Sequence, residues 1–232
     1  MPIFLLSEKL AFPPPHLADA SGLLAVGGDL RLKRLLLAYH MGIFPWYSRG
    51  DPILWWSPDP RLVLYPAEIQ ISKRLRRFIR QKPFQLTMDQ AFDHVIADCA
   101  AVRRRQGVST WIVKDMVHAY GRLHRSGYAH SVEAWQNGRL AGGLYGVSLG
   151  GTFFGESMVS HVSNASKVTL AVLARCLKNN GFDMIDCQVP TDHLKRFGAV
   201  EINRGRFLQH LAASLTKPTR RGRWSIDALP PA

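Results

Sequence analysis

The sequence has few acidic residues, few cysteines and no long apolar run. It carries 30 Lys and Arg against 17 Asp and Glu, which gives a formal net charge of +13. The cysteines, Cys99, Cys176 and Cys187, lie far apart in apolar stretches, so we expect free, buried thiols in a reducing cytoplasm. No apolar run approaches the roughly 18 residues that cross a bilayer. The N-terminus also lacks the basic start and long apolar stretch of a signal peptide. These absences predict a cytoplasmic protein without a membrane-spanning segment.

Motifs of several common enzyme classes are also missing. The sequence has no P-loop, no G-x-G-x-x-G, no H-E-x-x-H and no paired C-x-x-C. The nine histidines show no ligand spacing, so we expect no metal. The letters GVSLG at residues 146–150 match the G-x-S-x-G of hydrolases, but that motif needs a strand, a sharp elbow and a helix. Here it falls between two predicted hairpin strands, and we interpret it as a turn.

The surplus of positive charge exceeds what solubility requires and indicates a polyanionic partner, either nucleic acid or an anionic membrane. A helix is predicted over residues 72–82, with Ser72 as its cap, and Asp89 is predicted to cap the helix that follows. No acidic residue lies between Glu68 and Asp89, so the helix over residues 72–82 predicts phosphate binding, with an ordinary solvated face as the alternative. Its basic face, opposite the apolar one, consists of Lys73, Arg76, Arg77 and Arg80.

The remaining pattern predicts an α/β (α+β) fold. Alternating apolar residues and an Asn-Gly turn signal give three antiparallel strands over residues 129–158. A long helix over residues 164–179 and a central strand over residues 183–189 follow, and this order resembles the GNAT acyltransferase fold. We therefore expect a mixed, largely antiparallel sheet covered by helices.

Two domains are predicted. Residues 1–61 indicate a small N-terminal domain that leans on a catalytic domain at residues 62–232, whose basic C-terminal tail shows nothing typical of a core. Residues 44–60 hold three of the six tryptophans and four of the fourteen prolines. Because proline fixes φ and removes a donor, we expect neither helix nor regular strand there. The segment is either a core loop or the wall of a pocket.

Three polar residues on predicted strands are candidates for chemistry. Glu156 lies in an apolar strand, and Asp186 and Gln188 lie two apart on the predicted central strand. A buried acidic group is costly unless it is paired or functional, so a structural hydrogen bond is the alternative for each. A GNAT enzyme also needs a glycine-rich loop for the coenzyme A pyrophosphate, yet no glycine falls between Gly155 and Gly181. We expect an acyl donor other than a coenzyme A thioester, and no cofactor.

Several longer motifs carry a resemblance to a known family. They are AVGGDL at 25–30, FPWYS at 44–48, DPILWWSPDPR at 51–61, TWI at 110–112, GESM at 155–158, NASK at 164–167 and DCQ at 186–188. With these, residues 23–211 resemble the bacterial leucyl/phenylalanyl-tRNA–protein transferase family.

The resemblance implies an enzyme that moves Leu, Phe and less readily Met from aminoacyl-tRNA to the α-amine of an N-terminal Arg or Lys, which marks the protein for degradation. It implies no metal, no membrane partner and a monomer. A coenzyme A-dependent N-acetyltransferase and a non-catalytic RNA-binding module are the alternatives.

The resemblance also implies the roles of individual residues. Lys73, Arg77 and Arg80 match the tRNA-binding cluster. This sequence departs from the family at Gln81, where Arg76 or Lys82 is expected to substitute. Asp186 orients or relays the proton through Gln188, and Glu156 attracts the cationic acceptor or stabilises the attacking amine. Tyr120 is also expected to stack on the terminal adenosine. The aminoacyl pocket is expected to contain Trp46, Trp111, Tyr39, Tyr120, Leu144, Met158 and Leu170.

Overall fold

The computed structural model describes residues 3–105 and 112–226. Within them the smaller of two sheets has the strand order β1-β2-β4-β3, and only β1 and β2 pair in parallel. Helix α1 (Leu32–His40) follows the second strand. The four strands are β1 (Phe4–Leu6), β2 (Leu23–Gly27), β3 (Phe44–Pro45) and β4 (Leu54–Trp56).

The larger sheet has seven strands. They are β5 (Arg61–Leu64), β6 (Gln85–Met88), β7 (Ala129–Gln136), β8 (Arg139–Leu149), β9 (Thr152–Ser160), β10 (Met184–Gln188) and β11 (Val200–Ile202). Their order is β11-β5-β10-β9-β8-β7-β6, and every neighbouring pair is antiparallel except β9 and β10. The predicted mixed, largely antiparallel sheet is confirmed, and the strand expected at residues 183–189 lies in its interior as β10.

Helices cover both faces of this sheet. They are α2 (Lys73–Arg80), α3 (Phe92–Arg105), α4 (Lys114–Arg125), α5 (Ala165–Asn179), α6 (Asp192–Lys195) and α7 (Arg204–Ser214). Side chains of β8 alternate between two buried clusters, since Tyr145 packs with α3 and α4 while Leu144 packs with α5. The order of the three strands, the long helix and the interior strand over residues 129–189 agrees with the prediction.

Local signals acted as expected at three points. Asn137 and Gly138 have φ of 51° and 71°, as a type I′ hairpin turn between β7 and β8 requires. The Ser72 hydroxyl accepts from the Leu75 N–H at 3.2 Å and caps α2. The GVSLG letters lie in β8 and in the turn to β9, where Gly150 has φ of 54°, so this segment is a hairpin and not a nucleophile elbow.

Two local expectations were wrong. Asp89 does not cap α3, because its carboxylate accepts from the backbone N–H groups of Ser131 at 2.8 Å and Trp224 at 2.7 Å. The C-terminal tail is not free of core contacts, since the Trp224 ring stacks on His130 with centroids 3.8 Å apart and meets Phe182 edge-on. Both errors have one cause: the tail returns to β7, a contact between segments far apart in sequence.

The tryptophan-rich segment is more regular than expected, because it contributes β3 and β4. Pro45 is tolerated in β3 because this is an edge strand, where a missing N–H breaks no ladder bond. Trp55 is fully buried and donates to the Gly27 carbonyl at 2.9 Å. One buried cluster contains Trp55 together with Val63 and Phe154, so the core is continuous across residue 61. The division into domains at residues 1–61 and 62–232 stays a prediction.

Among the described residues, no helix has the length and apolar character needed to cross a bilayer.

The docked tail predicts a loss of stability on truncating its tryptophan. Trp224→Ala removes the stack on His130 and the contact with Phe182, and we expect the free energy of unfolding to fall by about 2 kcal/mol. Urea denaturation followed by circular dichroism measures it. Trp46→Ala is the matched control, since this side chain is 40% exposed and should cost less. Equal losses in the two variants would contradict the docking.

Candidate functional site

A cavity of about 380 Å³ opens beside the central strand of the large sheet. The pairing of β9 with β10 ends at Phe154 and Asp186, and the residues that follow on both strands diverge and line the cavity. Helix α5 forms a further wall, and residues 44–46 close it from the small sheet. Its apolar lining includes Phe44, Trp46, Leu144, Phe153, Met158, Leu170, Leu173, Ile185 and Leu194.

The structure brings together some, but not all, of the residues expected to form the aminoacyl pocket. Trp46, Leu144, Met158 and Leu170 line the cavity. Trp111 lies outside the described residues. Two further expected pocket residues, Tyr39 and Tyr120, are fully buried behind the cavity and are not among its lining.

Because Tyr120 exposes no ring surface, the expected stacking of this ring on an adenosine is wrong for this arrangement. Its neighbour Tyr145 meets it edge-on with centroids 5.6 Å apart. The same burial rules out Tyr39 as a surface for the aminoacyl group. The sequence could not show this, because residue type alone does not tell an aromatic ring that lines the pocket from one that is buried behind it.

Glu156 is a buried carboxyl at the polar end of the cavity. It lies on β9 and accepts from the Tyr39 and Tyr120 hydroxyls, each at 2.8 Å. The Gln188 side-chain amide donates to the same carboxylate at 3.1 Å. Burial raises the pKa of Glu156 to about 7, although the two tyrosine hydroxyls oppose this rise. The carboxyl is thus poised to change charge near neutral pH.

The two tyrosines are fixed as hydrogen-bond donors. Burial, followed by the nearby Glu156 carboxylate, raises the pKa of both Tyr39 and Tyr120. The two hydroxyl oxygens also lie 2.5 Å apart. Because each hydroxyl carries one proton, all three contacts are hydrogen bonds only when the Glu156 carboxyl is protonated and donates one of them. Tyr39 comes from α1 and Tyr120 from α4, so two helices from different parts of the chain hold the same carboxyl.

Asp186, which is expected to orient or relay the proton through Gln188, is buried outside the cavity. Its carboxylate does not line the cavity and accepts two hydrogen bonds from Arg61, from Nε at 2.8 Å and from Nη2 at 2.6 Å. Both side chains are buried, and the guanidinium also lies over the rings of Phe44 and Phe207. Sequence reasoning missed Arg61. The signal was an acidic residue on an interior strand, which needs a buried cation or several hydrogen-bond donors.

Gln188 is turned into the cavity by an irregularity at the end of β10. The register with β5 shifts between Asp186 and Gln188, and Gln188 has φ of 64° although it is not glycine. The Asp186 carboxylate holds this conformation by accepting from the Gln188 backbone N–H at 2.9 Å. Strained backbone of this kind persists only where its surroundings fix it, and it is concentrated at functional sites.

The predicted basic face of α2 is exposed. Lys73, Arg76, Arg77 and Arg80 all reach solvent, and none forms an ion pair with the described residues. Uncompensated like charges on one helix are available for phosphates.

Two backbone N–H groups at the start of α5 already have partners within the chain. In an acyltransferase using coenzyme A, free backbone N–H groups at this point would receive the pyrophosphate. Here the Ala165 N–H donates to the Val162 carbonyl at 3.1 Å, and the Ser166 N–H donates to the Ser160 hydroxyl at 3.3 Å. No group of three His, Cys, Asp or Glu side chains within residues 3–105 and 112–226 is arranged to hold a metal ion.

Comparison with known proteins identifies the family. The family model described as leucyl/phenylalanyl-tRNA protein transferase matches residues 63–212, and the model of its N-terminal domain matches residues 28–59. This chain belongs to the leucyl/phenylalanyl-tRNA–protein transferase family. The predicted resemblance is confirmed, and the chain is an aminoacyltransferase.

Curated relatives cover nearly the whole chain. A leucyl/phenylalanyl-tRNA–protein transferase from Desulfatibacillum aliphaticivorans is 58% identical over 228 residues, covering 98% of each chain. One from Syntrophobacter fumaroxidans is also 58% identical, covering 98% of this chain and 97% of its own. Among solved structures, an aminoglycoside acetyltransferase from a soil metagenome matches with a TM-score of 0.40 at 12% identity, over 51% of this chain and 86% of its own. That last similarity is too low to carry an argument.

The buried ion pair predicts a strong coupling between Arg61 and Asp186. Asp186→Leu leaves the Arg61 guanidinium buried without a counter-charge, and we expect a loss of about 3–5 kcal/mol in the free energy of unfolding. Adding Arg61→Met should recover part of that loss, because the double variant buries no charge. Chemical denaturation of the two single variants and the double variant measures the coupling. Losses that simply add would contradict it.

The raised pKa of Glu156 predicts a pH-dependent stability. The folded state holds this proton more tightly than the unfolded chain does, so the contribution to stability is complete below about pH 4.5 and is lost as the pH rises to about 7. Relative to Glu156→Gln, the wild-type chain should therefore lose about 3 kcal/mol over this range. Urea titrations at a series of pH values measure the difference. The exposed Glu68→Gln is the control, and a difference that stays constant with pH for Glu156 would disprove the assignment.

Proposed function

We propose that this enzyme transfers leucyl or phenylalanyl groups, and methionyl less readily, from aminoacyl-tRNA to the α-amine of proteins that begin with Arg or Lys. The new N-terminal residue marks the protein for degradation. The observation that carries the proposal is the apolar cavity of about 380 Å³ that ends on the Glu156 carboxyl and the Gln188 amide. The cavity provides apolar walls for an apolar side chain. It also provides two polar groups, the Glu156 carboxyl and the Gln188 amide, that can bind an amine.

The apolar walls account for the choice of amino acid. Leu144, Met158 and Leu170 surround the space with aliphatic and thioether groups. Burying an apolar side chain of this size gains about 1.5–3 kcal/mol, while a charged or polar one would lose its hydration without replacement. Such a pocket separates apolar side chains of similar size only modestly, which fits an enzyme that accepts Leu, Phe and some Met.

Gln188 is proposed to hold the attacking amine. Its amide nitrogen is occupied by Glu156, and its amide oxygen has no partner among the described residues, so this oxygen is free to accept from the α-amine. The amine attacks the ester carbonyl, the C–N bond forms, and the C–O bond to the ribose 3′-oxygen breaks. The proton that the amine loses ends on that 3′-oxygen. Most of the acceleration then comes from holding the reacting groups together.

Asp186 is proposed as a positioning residue. Its carboxylate accepts from the Gln188 backbone N–H, which supports an orienting role rather than a proton relay through the side chain. Glu156 is proposed to attract the cationic acceptor when ionised. It also fixes the Gln188 amide at 3.1 Å.

The positive charge on the surface of α2 supports tRNA as a binding partner. The exposed basic face of α2 is proposed to contact tRNA phosphates, with Lys73, Arg76, Arg77 and Arg80 as the contacts. The enzyme is proposed to act as a monomer in the cytoplasm, without a metal or coenzyme A. The free state of Cys99, Cys176 and Cys187 supports a reducing compartment.

The decisive experiment is transfer of labelled Leu from Leu-tRNA to a peptide that begins with Arg. We expect product with this peptide and none when its α-amine is acetylated. Labelled acetyl-CoA in place of Leu-tRNA tests the acetyltransferase alternative, and acetylation of the peptide would contradict the proposal. Binding of tRNA without any transfer would favour the RNA-binding module.

Removing the amide of Gln188 should lower the rate of transfer. For Gln188→Ala we expect kcat to fall on the order of 100-fold with the KM for Leu-tRNA little changed, because the amide acts on the reacting amine and not on the RNA. The exposed Gln85→Ala is the matched control and should retain wild-type kinetics. Near wild-type kcat in a folded Gln188→Ala enzyme would remove Gln188 from the mechanism.

A further inference from the structure

A second groove, of about 820 Å³, borders the aminoacyl cavity. It lies between α2, the start of α5 and α6. Its lining carries four cationic side chains, Arg74, Arg77, Lys167 and Arg196, and no carboxylate. Another groove of similar volume, about 840 Å³, has Asp89 and Asp93 beside three arginines, so most of its positive charge is offset. Of these two large grooves, the one beside α2 therefore has no carboxylate to offset its positive charge.

The cations in this groove are available to a ligand. Arg74, Arg77 and Arg196 are exposed, and none forms an ion pair with the described part of the chain. Lys167 is held by a hydrogen bond from Nζ to the Asn164 side chain at 3.1 Å, which orients the ammonium without removing its charge. A pre-oriented cation flanked by free guanidinium groups matches phosphate oxygens.

The groove is continuous with the aminoacyl cavity. His193 lines both of them, and its buried Nε2 has no hydrogen-bond partner among the described residues. Burial, followed by the nearby Lys167 and Arg196, lowers the pKa of His193, so the ring is neutral and offers a hydrogen bond at this junction. A ligand that bridges the two spaces must be apolar at one end and anionic along the rest.

We propose that this groove binds the backbone phosphates of the single-stranded 3′ end of aminoacyl-tRNA, with Lys167 and Arg196 as specific contacts. The inference rests on the proposed function, because the amino acid is esterified to the last nucleotide of that strand. With the amino acid in the apolar cavity, the preceding phosphates pass His193 and enter the groove. Single strands are held in this way by positive grooves that follow the backbone.

The groove adds residues that the basic face of α2 does not include. Of that face only Arg77 lines the groove, while Lys73, Arg76 and Arg80 do not. Arg74, on the same helix, turns toward the groove instead. The structure thus separates two phosphate-binding surfaces: one on the outer face of the helix, and one leading to the reacting ester.

The test compares two acyl donors. Leu-tRNA carries the whole 3′ strand, whereas 3′-O-leucyl-adenosine carries the same ester without the preceding phosphates. For the double variant Lys167→Gln/Arg196→Glu we expect the KM for Leu-tRNA to rise on the order of 10- to 100-fold, while kcat/KM for leucyl-adenosine stays within about twofold of wild type. The slope of log affinity against log salt for tRNA should fall by about 1.4, the value for two single-strand contacts.

The matched control carries the same kind of charge change on the same helix as Lys167. Lys178→Gln/Arg175→Glu alters two exposed cations of α5 outside the groove and should keep wild-type values with both donors. An unchanged KM for Leu-tRNA in the groove variant would overturn the inference. So would an equal loss with both donors, since phosphate contacts cannot explain a defect with leucyl-adenosine.

The same assay separates this inference from the proposed function. If the wild-type enzyme transfers Leu from neither donor, the proposed function fails. If it transfers from both and the groove variant behaves like the control, only the groove assignment fails. Coenzyme A supplies the competing source of phosphate. We expect millimolar coenzyme A to leave the KM for Leu-tRNA unchanged, and competition reversed by the groove variant would overturn the assignment to RNA.

Discussion

The buried ion pair between Arg61 and Asp186 is the interaction on which the site depends. Two charges removed from water are stable only when their geometry and remaining hydrogen bonds are good. Here the carboxylate accepts twice from the guanidinium and once from the Gln188 backbone N–H. The pair ties the strand that follows the tryptophan-rich segment to an interior strand of the large sheet. It also stabilises the left-handed backbone that turns Gln188 toward Glu156.

The Glu156 carboxyl is the point at which distant parts of the chain come together in the site. Three elements from distant parts of the chain supply its donors: Tyr39 from α1, Tyr120 from α4 and Gln188 from β10. Burial disfavours the charged carboxyl, the donors partly compensate, and the balance leaves a pKa of about 7. Because α1 and the Trp46 wall precede residue 61, the N-terminal part of the chain is a component of the site.

Much of the fold could be predicted because its signals are local. The hairpin at Asn137, the cap at Ser72 and the order of strands and helices over residues 129–189 all follow from periodicity and turn chemistry. The errors share a cause, which is that distant contacts overrode local preference. Asp89 has the position of a helix cap, but its carboxylate accepts a hydrogen bond from the backbone N–H of Trp224 in the tail. The Trp224 ring, in a tail without a core pattern, stacks on His130 of β7. A local sequence pattern does not predict which distant segment of the chain will pack against it.

The sequence by itself determined the family, the positive surface of α2, the two polar residues at the end of the cavity and part of its apolar lining: Trp46, Leu144, Met158 and Leu170. These features depend on residue type and on motifs, and both can be read directly from the amino-acid sequence. Only the tertiary structure decided that Asp186 is paired with Arg61, that Tyr39 and Tyr120 stand behind Glu156, and that the groove with Lys167 adjoins the pocket. These facts depend on burial and on distances between segments far apart in sequence, and neither exists until the chain has folded.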